Sequence, residues 1–157
     1  MRKGQWKVYA FWIGLSELVG FLAGILIRQG VEIYSITAVK PPLSPPGWVF
    51  GVVWTILYAL MGISAARIWQ AENSAPKKHS INLFILQLAV NFFWPLFFFN
   101  LQAYGFALLW LIALWVLVFL LFLNNRKIDM PAAWLLLPYL IWLSFALYLN
   151  LGVYLLN

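Results

Sequence analysis

Five long apolar segments, separated by short polar stretches, dominate the pattern along this chain. They cover residues 6–27, 46–69, 80–101, 103–123 and 130–155. Each has roughly the 20 residues that a helix needs to cross ~30 Å of hydrocarbon. None alternates apolar and polar residues as a membrane β-barrel strand does. The pattern predicts an all-α integral membrane protein, in which residues 1–157 form a single five-transmembrane-helix bundle.

Composition excludes the soluble alternative. Hydrophobic residues make up 65% of the chain and charged residues 9%, against roughly 25% charged residues in soluble domains. The first apolar segment is too long for a signal peptide and contains Glu17, so we expect a retained first span. The chain has no cysteine, and therefore neither a disulfide framework nor a thiolate metal site is expected.

Basic residues are distributed unevenly between the two ends of the predicted bundle. Eight of the ten Lys and Arg residues lie in the N-terminal segment and in the connections after the second and fourth spans. Because cytoplasmic loops carry the excess of positive charge, the N-terminus is predicted inside and the C-terminus outside.

The first connection, residues 28–46, differs from the others in its length and in its four prolines. Proline fixes φ and lacks an N–H, so the stretch after Lys40 is expected to be extended and stiff. Such a segment is typical of a lid over one mouth of a bundle, although a plain spacer is the alternative. The chain shows no internal repeat, which disfavours inverted-repeat transporter architectures.

Polar and aromatic residues in the spans are the candidates for function. Asn91 lies one turn after Gln87, and Pro95 must break the helix bond to the Asn91 carbonyl. This segment predicts either a ligand wall or an interhelical hydrogen bond. Trp54 and Tyr58 share a face of the second span, and Trp142 lies in the middle of the fifth.

The position of each tryptophan decides which interpretations are open. A mid-span ring, such as Trp54 or Trp142, either packs the core or flanks a flat aromatic guest. Tryptophans near span ends are instead typical of the interfacial belt; these are Trp6, Trp48, Trp69 and Trp134.

The first span carries two further features. Gly20 and Gly24 form a small-residue series that favours close helix–helix packing. Glu17 is the one ionisable group deep in a span; it either serves proton coupling or ligand charge compensation, or is a neutral carboxyl hydrogen-bonded between helices. His79 is the only histidine, so no metal site is predicted, and no conventional catalytic machinery is recognisable.

Three motifs then occur in one order. Residues 40–62 resemble the second-helix signature of the translocator protein family, also called tryptophan-rich sensory proteins or peripheral-type benzodiazepine receptors. Residues 91–99 are similar to the N-x-x-W-P-x-x-F-F pattern of its third helix, and residues 138–145 to the P-Y-L-x-W-x-x-F pattern of its fifth. The chain is therefore identified as a bacterial-type member of that family, expected in the cytoplasmic membrane.

The resemblance implies a five-helix bundle, commonly a homodimer, with a ligand pocket under the first loop. It implies porphyrins (protoporphyrin, haem) and benzodiazepine-type compounds as ligands, and no cofactor. By position, Trp54 and Trp142 would be the rings most involved, with Tyr58 on the Trp54 face. Further lining residues would be Asn91, Trp94, Phe98 and Ala146, with Tyr34 and Leu43 in the lid; the dimer is expected through the small-residue face of Gly20 and Gly24.

Two departures from the family pattern limit what is carried over. Leu43 stands where many members have Trp, so its contact in the lid is expected to differ. No Lys or Arg follows Tyr154, so sterol binding through the motif proposed for mitochondrial members is not predicted. Three functions are consistent with the residues. The first is a porphyrin receptor or sensor. The second is a light-dependent porphyrin-degrading enzyme using Trp54 or Trp142, and the third a porphyrin or lipid transporter.

Overall fold

The computed structural model describes residues 2–157 of the protein, which are helical except for short connections. The helices are α1 (Gln5–Thr37), α2 (Gly47–Trp69), α3 (Ala75–Pro95), a π-helical turn (Leu96–Asn100), α4 (Tyr104–Asn125), α5 (Met130–Trp134) and α6 (Leu137–Leu156). Because α3 continues into the π turn and α5 into α6, five segments are long and apolar enough to cross a membrane. The predicted five-helix bundle is confirmed.

Helix α1 is longer than its apolar run predicts. At ~1.5 Å per residue, the 33 residues of α1 form a rod ~50 Å long, well beyond the ~30 Å of hydrocarbon. The prediction that residues 28–46 form a loop is therefore wrong for residues 28–37, and the connection to α2 spans only residues 38–46. The apolar run indicates only which part of a helix lies in the membrane. The helix itself continues beyond that run and ends at Thr37, four residues before Pro41.

Prolines explain both breaks within spans. Pro95 ends α3 and cannot donate to the Asn91 carbonyl; the chain then widens into the π turn, in which Leu101 N–H donates to Leu96 O at 3.0 Å. Between α5 and α6, Leu136 N–H turns back to Ala133 O at 2.9 Å, just before Pro138 begins the next regular turn. Both prolines thus lie where the regular helix is interrupted within a span.

The helices form a ring around one apolar core. Helix α1 packs against α2 on one side and against α3 and the π turn on the other, while α3 packs on α4 and α4 on α6. Helices α2 and α6 complete the ring but touch only sparsely; we call this boundary the α2–α6 seam. The fully buried apolar side chains include Met61, Phe84, Leu111, Leu114, Tyr139 and Leu143.

Two glycines allow α1 and α2 to approach closely. A Cβ added to Gly62 would lie 2.7 Å from the Ile13 nitrogen and 2.8 Å from the Trp12 carbonyl oxygen, both backbone atoms. A Cβ added to Gly20 would meet the Tyr58 ring at 2.6 Å. Small residues at such crossings maximise van der Waals contact, which drives helix association in lipid.

Polar contacts fasten the end of the bundle where α2 and α3 connect. Arg67 donates through Nε to Asp129 Oδ2 at 2.6 Å and through Nη2 to Oδ1 at 3.1 Å. The same carboxylate accepts from Ala132 N–H and caps α5. This bidentate pair fixes α2 to the start of the last span, although its partial exposure limits its contribution to stability.

We expect Gly62→Ala to destabilise the bundle by ~1–3 kcal/mol, because the added methyl meets backbone that cannot rotate away. Gly51→Ala is the matched control on the same helix, since nothing lies within 4 Å of its Cβ position. Its stability should stay unchanged or rise by up to ~1 kcal/mol. Thermal unfolding in detergent measures both, and equal melting temperatures would contradict the close-crossing interpretation.

Candidate functional site

A chain of hydrogen bonds crosses the centre of the bundle and joins α2, α3 and α6. Tyr58 Oη donates to Asn91 Oδ1 at 2.7 Å, and Asn91 Nδ2 donates to Tyr139 Oη. Tyr139 Oη in turn donates to Gln87 Oε1 at 3.0 Å, and Gln87 Nε2 lies 3.7 Å from Met61 Sδ. All five residues are buried. The donors point in one direction along the chain, an arrangement in which successive bonds polarise and strengthen one another.

In this structure Asn91 makes the interhelical hydrogen bonds that one of its two interpretations predicts. Its amide is used in interhelical hydrogen bonds to Tyr58 and Tyr139, so Asn91 and Tyr58 tie the helices together in this structure. Sequence reasoning missed Tyr139 and did not identify Gln87 as its partner. The available signal was a tyrosine following Pro138 in the middle of a span, where its hydroxyl requires a buried partner.

Trp54 of α2 and Trp142 of α6 both lie at the α2–α6 seam. The Trp54 ring of α2 contacts Tyr139 of α6, with centroids 6.0 Å apart, and Tyr58 at 5.6 Å. The Trp142 ring of α6 contacts Phe50 of α2 at 5.6 Å. Both tryptophans that the sequence singled out therefore take part in aromatic contacts between α2 and α6.

The indole nitrogen of Trp142 is the exception to polar pairing. It is the one buried side-chain nitrogen or oxygen without a hydrogen-bond partner in the part of the chain that the structure describes. Two other indoles are paired: Trp94 Nε1 donates to Asn150 Oδ1 at 3.1 Å, and Trp110 Nε1 donates to Val90 O at 2.7 Å. A buried donor left unpaired costs roughly 1–3 kcal/mol, so Trp142 presents a donor that lacks an acceptor.

An apolar groove of 590 Å³ runs along the α2–α6 seam. Its lining residues are Val53, Ile56, Leu57, Pro138, Ile141, Trp142 and Phe145. We call this feature the α2–α6 groove; Trp142 borders it, whereas Trp54 packs on the buried tyrosines.

Three other predicted lining residues belong to the core in this structure. Trp94, Phe98 and Ala146 are all buried. The Phe98 ring lies 5.4 Å from that of Tyr34 and 5.1 Å from that of Tyr104. Trp94 and Phe98, with ring centroids 5.3 Å apart, therefore belong to an aromatic cluster at the π turn.

The two predicted lid residues have different environments. Tyr34 lies on α1, not in a loop, and packs on Phe98 and Phe99. Leu43 has 81% of its side chain exposed and a φ of 66°, a left-handed conformation unfavourable for a branched side chain. Leu43 therefore lies mostly on the surface of the connection in this structure.

The connection 38–46 is nevertheless fastened over the end of α6. Asn157 pairs with the backbone of Val39, accepting from its N–H at 3.0 Å and donating to its carbonyl at 2.9 Å. Tyr148 Oη donates to Pro42 O at 2.7 Å. Pro41 packs so closely on α6 that a Cβ on Gly152 would meet it at 2.6 Å. These contacts hold the connection in one place.

The α1 residues singled out from the sequence separate in the structure. The expectation that Gly20 serves a second copy of the chain meets an obstacle, because the Tyr58 ring of the same chain occupies the space beside it. Gly24 has open space at its Cβ position. Glu17 is half-buried, and no hydrogen bond among those found within residues 2–157 involves it.

The architecture defines an integral membrane protein: a five-helix bundle with a buried polar centre and an aromatic, loosely packed seam. The sequence pattern of the TspO/MBR family matches residues 12–155. The chain belongs to this family.

Its relatives come from bacteria, archaea and animals. The chain is 38% identical to the tryptophan-rich protein TspO of Chlorobaculum tepidum, over 94% of each chain. It is 35% identical to the translocator protein of Bos taurus over 87% of this chain and 82% of that one. The tryptophan-rich sensory protein of Cereibacter sphaeroides is 36% identical over 75% and 73%.

Tyr139→Phe should destabilise the protein more than Tyr58→Phe does. Removing the Tyr139 hydroxyl takes away the partner of both Asn91 and Gln87, whereas Tyr58 ends the chain and has one partner. With ~0.6 kcal/mol per interhelical bond in membranes, we expect a loss of ~1–2 kcal/mol for Tyr139→Phe. Unfolding by denaturant in mixed micelles measures it.

Tyr154→Phe is the matched control for this comparison, since that ring lies half exposed near the end of α6. It should leave stability unchanged. Equal losses for Tyr139→Phe and Tyr154→Phe would mean that the central chain contributes nothing to stability.

Proposed function

We propose that this protein is a membrane receptor or sensor that binds porphyrins, such as protoporphyrin or haem, and benzodiazepine-type compounds. The site is a pocket beneath the α1–α2 connection, with Trp54 and Trp142 as its principal side chains. The observation that supports it best is the buried, unpaired indole N–H of Trp142 beside a loosely packed aromatic seam.

The chemistry of these ligands matches what the seam offers. A porphyrin is flat and apolar and carries carboxylates, so it presents both an aromatic face and hydrogen-bond acceptors. Indole rings supply stacking worth ~0.5–1.5 kcal/mol beyond the area buried. An acceptor placed at Trp142 Nε1 would also remove the cost of the unpaired donor, which makes binding there more favourable than at an already satisfied site.

The names of the relatives support a receptor or transport role in general terms. One relative is named a sensory protein and others translocator proteins. We further propose the orientation with the N-terminus inside, because Lys and Arg gather at the end of the bundle that holds it. A homodimer would use the α1 surface around Gly24, which is open.

Trp142→Phe should weaken protoporphyrin binding by about tenfold, equivalent to ~1.4 kcal/mol, because phenylalanine keeps a ring but lacks the N–H. Trp54→Phe should weaken it about two- to tenfold through reduced stacking. The measurement is a titration of protein in nanodiscs, followed by the shift of the porphyrin Soret band.

Trp134→Phe provides the matched control, because this ring is half exposed on α5, away from the α2–α6 groove. It should bind as the unsubstituted protein does. Wild-type affinity in both Trp54→Phe and Trp142→Phe would overturn the site assignment.

The same samples separate a receptor from a light-dependent enzyme. Under illumination, a receptor should leave the bound porphyrin to bleach no faster than free pigment. Faster loss in the unsubstituted protein, slowed by Trp54→Phe or Trp142→Phe, would instead identify porphyrin degradation as the activity.

A further inference from the structure

We propose that the α2–α6 groove is the entrance through which the ligand passes from the bilayer to Trp54 and Trp142. This inference rests on the proposed function, since it concerns the route to that site. It follows from comparing what holds each boundary of the bundle closed.

The end of the bundle that faces the α1–α2 connection is fastened by polar contacts. Asn157 holds both backbone groups of Val39, and Tyr148 holds Pro42. Farther along, Asn100 Nδ2 donates to Leu26 O at 2.9 Å and ties the π turn to α1. Opening this end requires several hydrogen bonds to break together.

The boundaries around α4 are closed in the same manner. Trp110 Nε1 donates across to Val90 O of α3, and Trp115 Nε1 to Ser144 Oγ of α6 at 3.0 Å. Where α1 crosses α2, backbone approaches Gly62 without any intervening side chain. Separating any of these pairs in hydrocarbon leaves polar groups without partners or loses close backbone packing.

The α2–α6 seam is held differently. Farther from the α1–α2 connection, the Tyr58–Asn91–Tyr139 chain bridges the seam, and Ser64 Oγ of α2 donates to Ala132 O of α5 at 2.6 Å. Nearer the connection, α2 and α6 meet through ring pairs such as Phe50–Trp142. Lipid chains are as apolar as the rings they would replace, so parting the stretch of the seam around Phe50 and Trp142 breaks no hydrogen bond and incurs no hydrophobic penalty. This stretch is therefore the part of the boundary that opens at least cost.

The groove lies where an apolar ligand dissolved in the bilayer first meets that seam. Ile56 and Ile141 on its two rims are 54% and 62% exposed, and its floor includes the buried Leu57. Trp142 borders the groove and carries the unpaired indole N–H. A ligand with an apolar ring and an acceptor can thus move from lipid to the Trp142 donor without crossing water.

The test compares rates of protoporphyrin binding to proteoliposomes by stopped-flow detection of the Soret shift. Ile141→Trp fills the groove, and Leu109→Trp is the matched control, which adds the same ring to α4 at a side chain that is 67% exposed. We expect Ile141→Trp to slow association and dissociation by at least about tenfold each, with little change in Kd. Leu109→Trp should leave both rates unchanged.

The opposite route is tested by locking the α1–α2 connection. The chain has no cysteine, so a Val39→Cys/Asn157→Cys pair can be oxidised and reduced within one protein. Association should be the same in both forms, and the same again in Tyr148→Phe, which loosens the connection without a disulfide.

Three results would overturn the entrance. These are slower association in the oxidised pair than in the reduced one, faster association in Tyr148→Phe, or equal slowing by Ile141→Trp and Leu109→Trp. Failure of the proposed function gives a different result from failure of the entrance. The unsubstituted protein would then show no saturable Soret shift at equilibrium, and no binding rate could be measured.

Discussion

Polar groups within hydrocarbon have no water to pair with, so each one in this protein must find its partner inside the bundle. The Tyr58–Asn91–Tyr139–Gln87 chain meets that requirement at the centre, where α2, α3 and α6 come together. Since lipid supplies no hydrophobic force between helices, their arrangement depends on such bonds and on close packing at small residues. The central chain therefore fixes which faces of α2 and α6 look inward, and with them the positions of Trp54 and Trp142.

The same requirement gives the bundle its uneven boundary. The side chains that close the other boundaries, such as Asn100, Trp110 and Trp115, are hydrogen-bonded to neighbouring helices. Across the α2–α6 seam the contacts are between rings, and the one buried donor nearby, Trp142 Nε1, has no partner. This unsatisfied donor beside an apolar groove is the observation on which the proposed site for an apolar ligand with an acceptor rests.

Much of the fold could be predicted because hydropathy and helix length are local properties. Each span is a continuous run of about 20 apolar residues, and Pro95 and Pro138 announce breaks through their missing N–H. The extent of α1 could not be predicted in this way, because residues 28–37 are polar enough to leave the membrane but contain no proline to end the helix. For the site, periodicity placed Trp54 and Tyr58 on one face of α2. It could not show that the Tyr58 hydroxyl donates to Asn91, because that hydrogen bond joins two different helices.

By itself, the sequence determined that the chain crosses a membrane five times, and its motifs indicated the family to which it belongs. Both follow from the identity and order of residues along single helices. Only the tertiary structure decided that Asn91 binds two tyrosines and that Gly20 lies against the Tyr58 ring. It also decided that, among residues 2–157, Trp142 is the one that keeps a buried side-chain donor unpaired. The reason is physical: a hydrogen bond or a close approach depends on the distance between two helices, and no one-helix pattern contains that distance.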